Sequence, residues 1–304
     1  MKKRCRLWCA ALCLLLLCAC GQKIPAPTPE EPPEPEPKVP QVISLECSDG
    51  ELTLRFHRGE DGAWLWTDDV SFPLDGRCVD EMLDDFAALE TLVPLTDAEG
   101  PEAYGLYDAQ KYITTRLSDG TSTTYRFGNE SEAGAYYTCS DDAPDRICLA
   151  SGQLLQRMGR SIYDMALLPT LPAIGADQVQ YISVTRGDRT DRITGSPGAW
   201  RINNNEATDT QPVEQLLSLL AQPVLTQCVD YAPSDGAAAL CGLEPPAAVL
   251  EAGYNAPSGD QETFTLTVGA VTDDGEACYV TVNDDTTLYL MDAAPLAVLR
   301  SWGE

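Results

Sequence analysis

The chain holds a single histidine, His57, in 304 residues. That excludes a multi-histidine metal centre, and any serine triad or Cys–His pair would have to use His57. His57 lies beside Arg55 and Arg58 on a strand-like run, the setting of a surface residue. Basic residues are also scarce: 20 Lys and Arg stand against 47 Asp and Glu, a formal net charge of −27. A field of that sign repels phosphate backbones and argues against nucleic acid as a partner. No two cysteines are spaced C-x-x-C, which argues against zinc ribbons and thioredoxin-like chemistry. A Gly-x-Ser-x-Gly elbow and a phosphate-cradling glycine loop are absent as well. The longest apolar run, Leu7 to Cys18, falls short of the roughly 20 residues that span a bilayer as a helix.

What is present begins with that run. Lys2, Lys3, Arg4 and Arg6 precede it, the layout of a secretory signal. It ends in Leu17-Cys18-Ala19-Cys20-Gly21, which resembles the lipobox of bacterial lipoproteins. The resemblance implies cleavage after Ala19 and a diacylglyceryl thioether on Cys20. Two acyl chains hold a protein on a membrane stably where one holds it marginally. Residues 1–19 are expected to be the signal peptide, and the remainder to sit lipid-anchored on the extracytoplasmic face of the cell membrane. Loss of residues 1–19 removes four basic groups and no acids, so −27 becomes −31. Eight of the eighteen residues 23–40 are Pro and four are Glu. Such a segment reads as an extended stalk of about 55 Å, so residues 20–40 are taken as lipid site and stalk.

Beyond the stalk the chain repeats itself. Gly62-Ala63-Trp64 returns as Gly198-Ala199-Trp200, 136 positions on, and Gly105-Leu106 returns as Gly242-Leu243, 137 positions on. Phe127-Gly128 matches Val268-Gly269, Ala135-Tyr136-Tyr137 matches Ala277-Cys278-Tyr279, and Ile147-Cys148-Leu149 matches Leu288-Tyr289-Leu290. Five matches in order argue for two copies of one module, assigned to residues 41–168 and 177–304, with Pro169 and Pro172 at the joint.

Each copy reads as strands with packed helices. Alternating runs predict strands at Ile43–Cys47, Leu52–Phe56 and Ala63–Trp66. A helix capped by Asp75 follows, with Val79, Met82, Leu83, Phe86 and Leu89 on its apolar stripe and Asp80, Glu81, Asp84 and Asp85 on its wet face. Strands are predicted at Tyr112–Leu117, Thr123–Phe127, Ala135–Cys139 and Arg146–Ala150. A closing helix is predicted from Gln153 to about Leu167. The second copy predicts strands at Gln180–Val184, Asp191–Thr194 and Ala199–Asn203, then a helix opened by Pro212. Further strands are expected at Val224–Val229, Ala248–Ala252, Thr263–Val268, Cys278–Val282 and Thr287–Leu290. A last helix, Ala293 to Arg300, would be capped by Asp292. Neighbouring strands can pair as hairpins, so the class is α+β: two tandem copies of a mostly antiparallel sheet module with packed helices.

Seven cysteines lie in this body: Cys47, Cys78, Cys139, Cys148, Cys228, Cys241 and Cys278. An odd number cannot all pair within one chain. Pairs Cys139–Cys148 and Cys228–Cys241 remain open, as does a set of buried thiols. The acidic doublets Asp68-Asp69, Asp141-Asp142, Asp273-Asp274 and Asp284-Asp285 are no ready-made dyads, because adjacent strand residues point to opposite faces. The last two fall where hairpin turns are expected and lack calcium-loop spacing. Arg186-Gly187-Asp188 reads as a turn between strands. The strand aromatics Trp64, Trp66, Trp200, Tyr136, Tyr137, Tyr279 and Tyr289 are assigned to packing.

The module with Gly-Ala-Trp, a helix entry after Pro-Leu-Asp, a (Tyr/Cys)-Gly-Leu turn and a strand ending in Gly resembles the domain of unknown function 4340 family. The second copy carries Pro245 after Gly242-Leu243-Glu244, as that family does; the first has no Pro in that place. The resemblance implies duplicated modules in a bacterial envelope lipoprotein. Some relatives accompany ABC-type exporters, which suggests an envelope or transporter protein as partner. It carries over no catalytic residue. The expectation is therefore a tethered, non-enzymatic interaction or accessory module, with no catalytic residues, cofactor or metal assigned. The alternatives are a solute-binding lipoprotein with its site between the copies and a carboxylate-based hydrolase.

Overall fold

The computed structural model describes residues 39–303. Cys20, the cleavage point after Ala19 and most of the stalk lie outside the described residues. The fold is mixed α+β, built on a seven-stranded and a nine-stranded sheet. Every strand pairing is antiparallel.

The first sheet comprises β1 (Val42–Asp49), β2 (Thr53–Arg58), β3 (Trp64–Trp66), β4 (Lys111–Leu117), β5 (Ser122–Glu130), β6 (Tyr136–Ser140) and β7 (Ala143–Ala150), in the order 3-2-1-4-5-6-7. Between β3 and β4 runs α1 (Gly76–Leu89), and α2 (Gly152–Met158) follows β7. Alternation decides which face is covered. Leu45, Phe56, Ile113 and Phe127 point one way and pack with Val79, Met82 and Phe86 of α1 and Leu154 and Met158 of α2. The helices are also tied to each other, since Arg157 of α2 bonds Asp85 and lies 3.3 Å from Glu81 of α1. The opposite face is polar around β1 and β4, where Glu46 accepts from Tyr112 (2.6 Å) and Arg55 (3.1 Å), and Arg126 of β5 pairs with Asp141. At β6 and β7 it is covered by a small apolar cluster of Leu106, Cys139 and Ile147.

Asp75 caps α1, accepting from the Arg77 amide at 3.1 Å and from the Arg77 guanidinium. Asp75→Ala is expected to cost about 1 kcal/mol of stability, the usual effect of losing an N-cap oxygen. Urea denaturation measures it.

The second sheet comprises β8 (Val179–Arg186), β9 (Arg189–Thr194), β10 (Arg201–Ile202), β11 (Asn205–Glu206), β12 (Gln227–Asp230), β13 (Ala248–Asn255), β14 (Gln261–Val271), β15 (Ala277–Val282) and β16 (Leu288–Asp292). Its order is 11-10-9-8-13-14-15-16-12. The run 10-9-8-13-14-15-16 therefore has the connectivity of the whole first sheet. Helices α3 (Gln211–Ala221) and α5 (Ala293–Arg300) cover one face, burying Val213, Leu216, Leu220, Leu296 and Leu299 on Ile182, Leu250, Phe264 and Val280. A single-turn helix, α4 (Ala237–Leu240), precedes β13.

The structure corrects four local expectations. The helix predicted to run from Gln153 to Leu167 stops at Met158; Gly159 ends it, and a 3-10 turn, Ile162–Met165, restarts under a Ser161–Asp164 capping box. Asp292 occupies the N-cap position of α5, but its side chain accepts no capping hydrogen bond. The third strand of the second half shrinks to Arg201–Ile202, because Asn203 and Asn204 turn back at φ 51° and 69° into β11. These positive angles suit a two-residue hairpin turn. The strand expected at Val224–Val229 is Gln227–Asp230, and it sits on the sheet edge beside β16.

The two sheets meet through aromatic packing. Phe72 makes edge contacts with Trp66 (5.5 Å), Tyr163 (6.0 Å) and Tyr231 (5.7 Å), and Gln227 donates to Asp164 at 2.9 Å.

Candidate functional site

The repeated sequence marks prove to be one contact made twice. A short helix, the 3-10 turn Pro101–Tyr104 in the first half and α4 in the second, ends in a left-handed glycine: Gly105 at φ 70°, Gly242 at φ 67°. In the first half Gly105 N–H donates to Glu102 and Leu106 N–H to Pro101; in the second Gly242 donates to Ala239 and Leu243 to Ala238. That pair of bonds is a Schellman motif, and it requires the left-handed residue that glycine supplies at least cost. The following leucine, Leu106 or Leu243, is buried. The turn then presses on a glycine in a strand bulge. A Cβ on Gly128 would lie 2.2 Å from the Tyr104 carbonyl oxygen, and one on Gly269 would lie 2.3 Å from that of Cys241. Both glycines fall where the ladder register slips, in β5 and β14. These motifs are therefore architectural.

Of the residues singled out for chemistry, His57 and one acid of each doublet are likewise engaged. His57 Nδ1 lies 3.0 Å from Thr67 Oγ1. Asp69 takes the amide of Ser71 at 2.9 Å, and hydrogen bonds from Ser71 hold its carboxyl below the ordinary range. Asp274 accepts from the Glu276 amide, and Asp285 from Thr287 and Tyr289. Asp274 and Asp285 hold hairpin turns, as expected for their doublets. Among the described residues no three His, Cys, Asp or Glu side chains cluster closely enough to hold a metal ion. Gly187, at φ 54°, forms the turn between β8 and β9 in Arg186-Gly187-Asp188.

All seven body cysteines are free thiols, five of them buried. Burial, with Asp49 nearby, pushes Cys47 up to about 12; burial and Asp230 push Cys228 up to about 11. Since the thiolate is the reactive form, native protein at pH 8 is expected to alkylate slowly at both. In denaturant without reductant all seven body thiols should react. A count of five would mean that one disulfide exists.

One polar arrangement escaped the reading of the sequence. Asp191 of β9 lies opposite Val184 on the face packed by helices and is 2% exposed. In the first sheet that position, opposite Cys47, is held by Leu54. Three donors surround Asp191: Asn203 Nδ2 at 2.7 Å, Arg189 Nη2 at 2.7 Å and the indole Nε1 of Trp302 at 3.0 Å. Burial pushes the carboxyl up, but the hydrogen bonds from Arg189, Asn203 and Trp302 and the Arg189 charge outweigh it and hold it below the ordinary range. The backbone after α5 is strapped down alongside, with Arg186 donating to the Trp302 carbonyl (2.8 Å) and Arg189 to that of Gly303 (3.3 Å). Beside this network opens a cleft of about 440 Å³, walled by β9, by β11 and the loop after it, and by α3 and the end of α5. Two other hollows differ in kind. One of about 540 Å³ lies around Tyr181, whose ring stacks under Arg192 at 3.7 Å and whose hydroxyl donates to Glu251. One of about 320 Å³ lies at the junction of the sheets, against Tyr163 and Gln227.

No curated protein and no solved structure matches the chain. The family profile described as Domain of unknown function (DUF4340) matches residues 64–246, from Trp64 in β3 to Pro246 just before β13. That stretch contains both Schellman turns and is more than half of the chain. The chain belongs to this family.

Proposed function

We propose that this protein is a lipid-tethered, extracytoplasmic, non-enzymatic lipoprotein that presents two copies of one module as an accessory part of an envelope or transport complex. The observation that carries the reading is the pair of sheets with shared connectivity, each with one face closed by helices and the other polar except where the Gly-Leu turn buries Leu106 or Leu243. The twice-made glycine contact supports descent of both halves from one unit. Leu17–Gly21 supports the tether on Cys20, and the proline-rich stalk supports a body held away from the bilayer. No helix among the described residues is long and apolar enough to cross a membrane. His57 and one carboxylate of each acidic doublet (Asp69, Asp141, Asp274 and Asp285) are occupied in turns and strand contacts, which favours binding over catalysis.

In-cell crosslinking with mass spectrometry tests this, using wild type and Cys20→Ser. One membrane complex recovered with wild type and lost with Cys20→Ser is expected. Turnover of a wall or glycan substrate by the purified protein, abolished by a single carboxylate substitution, would overturn the reading.

A further inference from the structure

We propose that the cleft beside β9 binds a small zwitterion of the amino-acid class, with Arg189 taking the carboxylate and Glu206 the ammonium. The inference rests on the cleft alone and is independent of the tether and of any protein partner.

Asp191 is the first reason. A buried carboxylate loses its hydration, and an apolar residue of similar size in its place is often neutral or stabilising. The first sheet demonstrates the apolar solution, with Leu54 at the corresponding position, 3% exposed. The sheet pairing therefore does not by itself require an acid there. Besides accepting from Asn203 and Trp302, the acid holds Arg189. The guanidinium is held on one side by Asp191 and on another by the Gly303 carbonyl, yet its side chain is 59% exposed. Of its five N–H donors, three remain for a ligand. A guanidinium that already has two partners gives up less rotamer freedom on binding a carboxylate than a free one.

Charge selects the rest of the ligand. Arg189 is already neutralised by Asp191, and the cleft also carries Glu206 and Asp209. Asp209 accepts from the Gln211 amide at the start of α3. Glu206 is exposed, paired through its backbone with Arg201, and its carboxylate makes no hydrogen bond or ion pair among the described residues. A lone anion would be repelled by these acids, and a lone cation would leave the positioned guanidinium unused. A molecule with both charges satisfies both groups. Ile202, Val298 and Trp302 supply apolar wall for a short side chain. The volume, about 440 Å³, lies within the ordinary range for small-ligand sites.

The test is thermal unfolding of the full chain in detergent with glycine, L-alanine, L-leucine, L-glutamate or L-lysine, each alone. Sodium acetate and methylammonium chloride serve as half-ligand probes. At least one amino acid is expected to raise the midpoint by on the order of 5 °C at a hundredfold excess over Kd, with neither half-ligand doing so. Glu206→Gln should keep the ligand-free midpoint, since the Glu206 carboxylate bonds to no other described residue and the strand pairing with Arg201 runs through the backbone, and should lose the rise. Arg189→Lys, which retains the charge but not the fork, should lose most of it. The proposal is overturned if no amino acid moves the midpoint. It is equally overturned if acetate or methylammonium alone reproduces the rise, or if Glu206→Gln still responds in full.

Discussion

Gly128→Ala and Gly269→Ala are each expected to lower stability by about 3 kcal/mol, the upper part of the usual cost of overpacking. For a body of this size that corresponds to a fall in melting midpoint of roughly 6–12 °C. The new methyl would sit 2.2 Å or 2.3 Å from a backbone carbonyl oxygen, so a rotamer change cannot relieve it. Either the strand must shift or the Schellman turn must lift away. If the turn lifts, Leu106 or Leu243 leaves its pocket, and in the second half the bulge amide of Ala270 loses its bond to Cys241, now 2.8 Å. Gly275→Ala is the control. That glycine has φ 80° but nothing within 4 Å of a Cβ, so only backbone strain is introduced, of about 1 kcal/mol. Equilibrium denaturation of the three variants decides the matter. Equal losses in all three would show that close packing on Gly128 and Gly269 contributes nothing beyond backbone conformation.

Asp191→Ala is expected to cost about 2 kcal/mol. The substitution leaves the indole N–H of Trp302 without its acceptor inside the core, and an orphaned buried donor costs about 1–3 kcal/mol, while the exposed Asn203 amide loses a bond that water can replace. The exposed Arg189 pairing adds little, because water replaces it. The damage should be directional. Asn203 also accepts from the Arg192 amide, so loosening it frees the β10–β11 hairpin. The pH dependence has a defined sign. The folded carboxyl is held below its unfolded value, so its contribution is present above about pH 4 and disappears as pH falls through the lower folded value. Asp191→Asn should therefore lose stability at neutral pH and show a shallower decline in acid than wild type. A variant with an unchanged acid limb would remove Asp191 as a titrating contributor.

Much of the fold was legible because its strands have unlike faces. Leu45, Cys47, Leu54 and Phe56 alternate with polar neighbours, and the pairing Leu45–Phe56 follows directly. What periodicity does not encode is which distant elements touch. Gly105 and Gly128 stood out as repeated marks, yet nothing in their spacing reveals that one turn rests on the other strand. The edge pairing of β12 with β16 was hidden for the same reason. The overrun of the closing helix has a local cause: the stripe from Leu154 to Met165 continues in helical step through Gly159, where the backbone breaks. Asp191 did leave a trace. It shares a face with Ile193, and an offset of 137 sets it against Leu54. A charge in an apolar column was the available signal of the cleft.

The edge position of β12 also sets an order on folding as the chain emerges. The first sheet closes with Ala150, and its last packing turn ends at Met165. Strands β1 to β7 can therefore assemble while the second half is still being delivered. The second sheet must wait. Residues 227–230 emerge some sixty positions before their partner at 288–292, and Asp191 stays uncovered until Trp302 arrives. In that interval β12 is a bare strand edge and the core acid is exposed to water. A chain halted before residue 288 would carry a finished first sheet and an open second one.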